Sequence, residues 1–249
     1  MSTHELPASS DRHPSRLLLR TLRPLARIVV RRRWSVAVTG AAQIPVRGPV
    51  ILASNHIGLV DGPLLAAFSP RPVHALTKVE MFEGRLGRLL RATGQIPVDR
   101  YAVDPGAIKT CLRVLRDGGV VAVFPEGTRG DGELHRFHHG AAYLALVTGA
   151  PVVPVTMIGT RPAGSGANAL PRPGDHLDVV VGTPWQTSRV PWPRRREQVL
   201  TTSALLLEHM RSELDRALAE TRRCLPGPLS AGQSEDDPDT GFVDQSREP

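Results

Sequence analysis

Two short blocks of polar residues carry side chains suited to chemistry on a phosphorylated alcohol. The first block, residues 55–61, reads NHIGLVD and contains His56 and Asp61. A histidine held by an aspartate can accept a proton from an alcohol near neutral pH. The second block, residues 124–129, reads FPEGTR. Its glycine lets backbone N–H groups approach an oxyanion, and the guanidinium of Arg129 can bind the same group through two donors.

Both blocks follow short apolar runs that are typical of buried strands. These runs occupy residues 50–53 and 120–124. Further strands are predicted at residues 35–39, 73–77, 151–157 and 177–181, and helices after residues 61 and 104 and at 139–148 and 194–223. The alternation predicts an α/β fold with a mixed, mostly parallel sheet flanked by helices. Because open α/β sheets hold ligands at the carboxyl ends of their strands, both blocks should lie at one edge.

A turn is needed to bring His56 and Asp61 together. On one regular helix, residues at this spacing would point about 140° apart. A strand-to-helix turn after residue 53 removes this difficulty. Asp61 is then expected to act as the N-cap of the helix that follows.

Four blocks in this order resemble the motifs of the glycerolipid acyltransferase family, of the 1-acylglycerol-3-phosphate acyltransferase type. The blocks at 55–61 and 124–129 resemble the first and third motifs of that family. Residues 94–100, GQIPVDR, resemble the second motif, and residues 152–155, VVPV, resemble the fourth. Lys78 matches a further family position. The resemblance covers roughly residues 34–185, and four ordered blocks are far more specific than a histidine and an aspartate alone.

The resemblance implies a role for each matching residue. His56 would be the catalytic base, with Asp61 holding its imidazole and Asn55 supporting its geometry. The reaction implied is transfer of an acyl chain from acyl-CoA or an acyl carrier protein to the free hydroxyl of 1-acylglycerol-3-phosphate, which forms phosphatidate in phospholipid biosynthesis. The residues expected to bind the acceptor are Glu126, Gly127, Thr128, Arg129, Arg100 and Lys78.

No cofactor or metal is expected beyond the acyl donor itself. No G-x-S-x-G element is present, which favours direct transfer over an acyl-enzyme intermediate. His135, His138 and His139 lie close together in the sequence. We expect no zinc site there, because no carboxylate or cysteine is expected to complete the ligand set.

The chain departs from the family pattern at two places. Residues 57–60, IGLV, lack the serine and the aromatic residue common there, and residues 137–140 read FHHG where Phe-Lys-x-Gly is frequent. A fixed positive charge is thus replaced by a titratable one, which leaves the acceptor headgroup open. The alternatives are another lysophospholipid, glycerol phosphate, or a non-catalytic lipid-binding protein on the same fold. The intact His56 and Asp61 argue against the last.

Charge is unevenly distributed along the chain. The formal net charge is +7, but residues 1–225 carry 30 basic and 18 acidic residues, a net +12. Such a body favours anionic partners, although an arginine-biased composition explains it equally well. A nucleic-acid-binding module would fit the charge, but no recognition motif occurs and aromatic residues are only 4% of the chain. We therefore expect an anionic membrane surface and no nucleic acid.

Four segments are predicted along the chain. Residues 1–14 are expected to be a disordered leader without a signal peptide, and residues 225–249, rich in Pro, Gly, Ser and acids, a disordered acidic tail. Residues 34–224 would form the acyltransferase domain. Residues 15–33 alternate leucine with arginine and predict a basic amphipathic helix, which would lie among lipid headgroups or pack its leucines on the domain. The expected location is peripheral, on the cytoplasmic face of the membrane.

Overall fold

The computed structural model describes residues 9–11, 13–102, 104–229 and 242–244. The helices in these residues are α1 (Leu17–Arg33), α2 (Asp61–Phe68), α3 (Gly84–Ala92), α4 (Pro105–Arg116), α5 (Gly140–Thr148) and α6 (Arg196–Thr221). The strands are β1 (Ser35–Thr39), β2 (Val50–Ser54), β3 (Val73–Lys78), β4 (Ile96–Val98), β5 (Val120–Val123), β6 (Arg136–His138), β7 (Val152–Ile158), β8 (His176–Val181) and β9 (Phe242–Asp244). Short 3₁₀ turns occupy Ala41–Gln43 and Val79–Phe82.

Seven of the strands form one sheet in the order β1-β8-β7-β2-β5-β3-β4. The five strands from β7 to β4 run parallel to one another. Strand β8 is antiparallel to β7, and β1 is parallel to β8. The predicted mixed, mostly parallel sheet flanked by helices is therefore confirmed. β6 and β9 form a separate antiparallel pair.

Alternate residues of the central strands face two helical layers. On β2, Ile51 and Ala53 pack in a cluster with residues of α4, α5 and α6. Val50 and Leu52 pack in a second cluster with residues of α2, against which α1 also lies. Every residue of β2 and β5 is buried. A parallel sheet covered on both faces needs such continuous apolar strands, and the residues that follow them start from a rigid frame.

Helix α1 packs on the domain by one side only. Leu19 is buried, and Ala26 and Val30 pack against the α2 cluster. The opposite side exposes Leu25, Ile28 and Val29 by 58%, 52% and 58%. One side of α1 therefore packs on the domain, which was one of the two expected roles. The other side exposes the apolar residues that the second role, contact with lipid headgroups, would use. In the described part of the chain no helix is long and apolar enough to span a membrane.

The ends of the chain lie largely beyond the described residues. Residues 1–8 of the expected leader, and 230–241 and 245–249 of the expected tail, are outside them. The described part of the tail lies against the body. Leu225 packs against the α4–α6 cluster, and β9 pairs with β6 in a register that opposes Phe137 and Val243. The ordered segment thus continues beyond residue 224, the expected end of the domain.

Candidate active site

His56 and Asp61 meet across the turn between β2 and α2. Nδ1 of His56 lies 2.8 Å from Oδ2 of Asp61. The same oxygen accepts the backbone N–H groups of Ile57 and Gly58, each at 2.8 Å. Asp61 is fully buried, so these contacts fix its carboxylate. With Nδ1 donating to that carboxylate, Nε2 is the ring nitrogen left to accept a proton.

The expected N-cap role of Asp61 is wrong. Helix α2 begins with Asp61 itself, and Val60 occupies the cap position without a side-chain hydrogen bond. The carboxylate turns back towards residues 56–58 because an imidazole and two free N–H groups lie there. The turn is tight: a Cβ on Gly58 would lie 2.3 Å from the carbonyl oxygen of Thr160. Residue 58 of this turn must therefore be glycine.

The second block surrounds His56. The imidazole stacks on Phe124, with ring centroids 4.3 Å apart. The backbone N–H of His56 donates to Oε1 of Glu126 at 2.7 Å, and its carbonyl accepts from the N–H of Gly130 at 2.9 Å. The two blocks predicted to meet at one edge of the sheet are therefore joined by direct hydrogen bonds.

Glu126 is a buried carboxyl group beside the base. Burial raises its pKa well above the ordinary value, and the negative charges of Asp131 and Asp61 add to the shift, whereas the N–H of His56 opposes it. The carboxyl accepts the backbone N–H of His56, so it fixes the backbone that carries the imidazole. Binding of the acceptor by Glu126 stays a prediction.

The turn at residues 126–129 brings further predicted residues into the same place. Gly127 has a φ of +76°, a conformation that glycine adopts without strain. Its carbonyl accepts from Nη1 of Arg100 at 3.0 Å, which brings the second motif to the third. Thr128 is half-buried. Nη1 of Arg129 donates to the carbonyl of Ala167 at 3.1 Å and to the side chain of Asn168 at 2.9 Å. Arg129 therefore also fastens the loop after β7.

Asn55 and Lys78 occupy the same edge in different ways. The Asn55 amide donates to the carbonyl of Met157 at 3.1 Å and accepts the Met157 N–H at 2.7 Å. This pair of bonds fastens the end of β2 to β7, directly before His56. Lys78 is the last residue of β3 and half-buried. Since β3 is parallel to β5, Lys78 ends at the edge that carries Glu126.

Arg161 is a site residue that the sequence reasoning missed. Its side chain is almost fully buried, with 2% exposed. The guanidinium donates to the carbonyls of Ile57 at 3.0 Å, Ser165 at 2.8 Å, Gly130 at 3.0 Å and Gly227 at 2.5 Å. It thereby joins the turn that carries His56 and Asp61 to the loop after Arg129. The sequence signal for Arg161 was its position, because it is a charged residue shortly after a predicted buried strand, at the carboxyl edge of the sheet.

A group of potential metal ligands lies beside the site. Asp131, Glu133 and His135 place their ligand atoms within 4.8 Å of one another, and Nε2 of His135 is 2.9 Å from Glu133. The expectation that no carboxylate accompanies these histidines was wrong for His135. His139 instead contacts the hydroxyl of Ser203 at 2.9 Å. Glu133 and His135 are exposed, and the metal-free reaction stays a prediction.

The site contains an imidazole held by a carboxylate, at the carboxyl edge of the sheet, beside cationic side chains. Such an arrangement is suited to an enzyme that activates a hydroxyl group for attack. Residues 35–158 match the family model described as Acyltransferase. The chain belongs to the acyltransferase family, and the resemblance drawn from the four sequence blocks is confirmed.

Curated relatives agree with this assignment. The chain is 27% identical over 195 residues to the 1-acyl-sn-glycerol-3-phosphate acyltransferase of Bacillus subtilis. That alignment covers 76% of this chain and 95% of the B. subtilis protein. The chain is 31% identical over 135 residues to the enzyme of the same name from Borreliella burgdorferi, covering 51% of this chain and 52% of that protein. It thus spans nearly the whole of the first relative and about half of the second.

A solved structure shares the fold. The crystal structure of the 1-acyl-sn-glycerophosphate acyltransferase PlsC from Thermotoga maritima superposes with a TM-score of 0.61 at 22% identity. The match covers 82% of this chain and 80% of that one. At this identity the likeness establishes the common architecture of sheet and helices.

Proposed function

We propose that the protein transfers an acyl chain from a thioester donor to the free hydroxyl of 1-acylglycerol-3-phosphate, which yields phosphatidate. The observation that carries the proposal is the 2.8 Å contact between His56 and Asp61 in a chain of this family. The relatives named for this activity, the B. subtilis protein in particular, support the choice of acceptor. Acyl-CoA and acyl carrier protein both fit the chemistry as donors.

The reaction proceeds by direct attack. Nε2 of His56 takes the proton of the acceptor hydroxyl as its oxygen attacks the thioester carbonyl. Asp61 stabilises the imidazolium that forms. The tetrahedral intermediate collapses with cleavage of the C–S bond, and the imidazolium returns its proton to the leaving thiolate. An ester and a free thiol are the products, and neither a metal nor a further cofactor takes part.

Cationic side chains at the carboxyl edge of the sheet bind the phosphate of the acceptor. Arg100 reaches the Gly127 carbonyl in the turn next to His56, Lys78 ends the adjacent β3, and Arg129 follows within the same block. A guanidinium binds phosphate through charge-assisted hydrogen bonds. A phosphate held here would place the hydroxyl of its glycerol unit beside the imidazole.

An acceptor panel tests the proposal. Purified protein is assayed with 1-acylglycerol-3-phosphate, other lysophospholipids and glycerol 3-phosphate, each with acyl-CoA and with acyl carrier protein. Phosphatidate from 1-acylglycerol-3-phosphate is the expected main product. Preference for a lysolipid without a terminal phosphate would favour the related acyltransferase instead, and the absence of transfer to any acceptor would favour a non-catalytic lipid-binding protein.

Replacing Arg100 with alanine is expected to raise the KM for the acceptor by roughly ten- to a hundredfold, with little change in the KM for the donor. The reason is the loss of a charge-assisted bond to phosphate, which contributes about 1.5–3 kcal/mol. Steady-state kinetics with each substrate varied in turn measure the effect. Arg113→Ala, on the surface of α4 and paired with Asp117, is the matched control. Equal damage to both substrates would assign Arg100 a structural role.

Arg129 needs a more conservative variant, because its guanidinium also holds the loop at residues 167–168. Arg129→Lys keeps the charge and forfeits the two-point contact with that loop. Comparison with Arg129→Ala therefore separates loss of charge from loss of the loop contact in the acceptor KM.

We further propose that the protein works on a membrane surface, at its cytoplasmic face, with α1 as a contact element. The exposed side of α1 combines Leu25, Ile28 and Val29 with the arginines at positions 31–33. Replacing Leu25 and Ile28 with serine should weaken sedimentation with anionic vesicles while the fold is kept, since Leu19 still packs inward. Unchanged sedimentation would restrict α1 to its packing role.

A further inference from the structure

Helix α3 presents leucines to the outside instead of the core. Leu86 and Leu89 are 48% and 49% exposed, and Gly87 is the buried residue of this helix. The helix packs through that glycine, because a Cβ there would lie 2.1 Å from the backbone of Phe82. A helix of a water-soluble domain usually turns its leucines inward. Leu86 and Leu89, three residues apart, instead form an outward strip.

Basic side chains border this strip. Arg85 and Arg88 are exposed, and neither forms an ion pair within the described residues. Arg91 lies over the ring of Phe82 at 5.6 Å. The helix itself contains no acidic residue; Glu80 and Glu83 precede it. Leucine beside unpaired arginine is the composition of helices that lie in the headgroup layer of anionic lipids.

The position of α3 ties this surface to the active site. The helix connects β3, which ends at Lys78, to β4, which leads to Arg100. The turn before it exposes Val79 by 45% at the catalytic edge of the sheet. The residues after α3 approach those before α1, since a Cβ on Gly94 would lie 2.2 Å from the carbonyl oxygen of Ser15. The segment that leads into α1 is therefore close to the segment that leads from α3 to β4.

We infer that α3 is a second membrane-docking element, with Leu86 and Leu89 entering an anionic bilayer and Arg85 and Arg88 against its phosphates. Docking by both α1 and α3 sets the orientation of the protein and holds the catalytic edge close to the lipid surface. The inference rests on the proposed function in one respect, which is that the acceptor is a membrane lipid.

A fluorescent probe on α3 tests the contact directly. In the full-length chain, Cys224→Ser removes the exposed thiol, and burial raises the pKa of Cys111 to about 12, which keeps it unreactive. Leu86→Cys, or Leu205→Cys as a control, is then labelled with an environment-sensitive fluorophore. Leu205 is 52% exposed and lies on α6, which packs on the face of the sheet opposite α1 and α2.

The labelled proteins are mixed with phosphatidylglycerol vesicles that carry a nitroxide quencher on the acyl chain. Quenching and a blue shift of the probe at residue 86, with little change at residue 205, are expected. The inference is overturned if the probe at residue 86 stays in water while the protein sediments with vesicles. It is equally overturned if the protein does not sediment with them.

Substitutions of the arginines and of the leucines of α3 measure how much each pair contributes to vesicle binding. Arg85→Gln with Arg88→Gln is expected to lower partitioning onto anionic vesicles about 30-fold at low salt, and less at high salt. Leu86→Ser with Leu89→Ser should weaken binding at both salt concentrations, whereas the control Leu200→Ser with Leu205→Ser should not. If the α6 control weakened binding as much as the α3 variant, the effect would be unspecific and the inference wrong.

Activity separates this inference from the proposed function. The α3 variants should keep wild-type turnover on a short-chain, water-soluble 1-acylglycerol-3-phosphate and lose rate on acceptor presented in vesicles. Wild-type protein without activity on the soluble acceptor would refute the proposed function, and the probe at residue 86 would still decide the docking surface.

Discussion

Replacing His56 with alanine is expected to lower turnover by about two to four orders of magnitude, the usual contribution of a positioned general base. Because Nδ1 of the imidazole is held by Asp61 at 2.8 Å, Nε2 is the ring nitrogen that can accept a proton from the acceptor hydroxyl. The substrate-binding residues are untouched, so both KM values should change much less than kcat. Steady-state kinetics on purified, folded variant measure both.

Two variants complete this experiment. His135→Ala removes another histidine near the site, with 53% of its side chain exposed, and should leave turnover close to wild type. Asp61→Asn should lower kcat strongly, because an amide can no longer stabilise the imidazolium as a carboxylate does. Wild-type turnover in folded His56→Ala would refute the mechanism. A large loss of turnover in His135→Ala would show that the cluster of Asp131, Glu133 and His135 contributes to the reaction.

The contact between His56 and Asp61 could be predicted from the sequence because its parts are local. His56 and Asp61 lie in one turn after a buried strand, and Glu126 and Gly127 follow the neighbouring buried strand. Parallel strands end at one edge, so adjacent blocks must meet there. The helix predicted after residue 104 also begins with a local contact, in which the Asp104 side chain accepts the N–H of Ala107 at 2.9 Å. In each case the nearest available partners decide the contact.

The cap assigned to Asp61 failed for the same physical reason. Capping rules consider the helix that follows, whereas the carboxylate here is bound by groups that precede it. Helix α3 and strand β4 were not predicted. The helix contains two glycines and three arginines in nine residues, although its leucines follow helical spacing. Glycine lowers helix propensity and is typical of loops, which hid the periodicity of this short segment.

Long-range partners account for what was missed at the site. The four carbonyl groups that Arg161 contacts lie at residues 57, 130, 165 and 227, and no local pattern relates them. Residue 227 falls in the segment whose composition predicts disorder. Its carbonyl is nevertheless bound by Arg161, and Leu225 packs on the core. Composition predicts the average behaviour of a segment. It does not include the effect of one buried donor, such as Arg161, that binds the segment from elsewhere in the fold.

Replacing Arg161 with methionine is expected to lower kcat by about two orders of magnitude and to lower the melting temperature as well. Methionine fills a similar volume but leaves four carbonyl groups without the donor that joins them, each at a cost of about 1–3 kcal/mol if it stays buried. Arg161 binds the carbonyls of Ile57 and Gly130. Ile57 follows His56 in the chain, and the N–H of Gly130 donates to the His56 carbonyl. A shift of about 1 Å in the base is enough for a hundredfold loss of rate.

The kinetics must separate positioning of His56 from global stability. Turnover is therefore measured well below the melting temperature of the variant, where the protein is folded, and compared with that of Arg211→Met. Arg211 donates to the carbonyl of Leu134, away from the His56 turn, and its loss should lower stability modestly and leave kcat near wild type. Arg161→Lys should recover part of the rate, since an ammonium reaches some of the four oxygens. A folded Arg161→Met enzyme with wild-type kcat and only a lower melting temperature would show that Arg161 stabilises the domain without positioning the base.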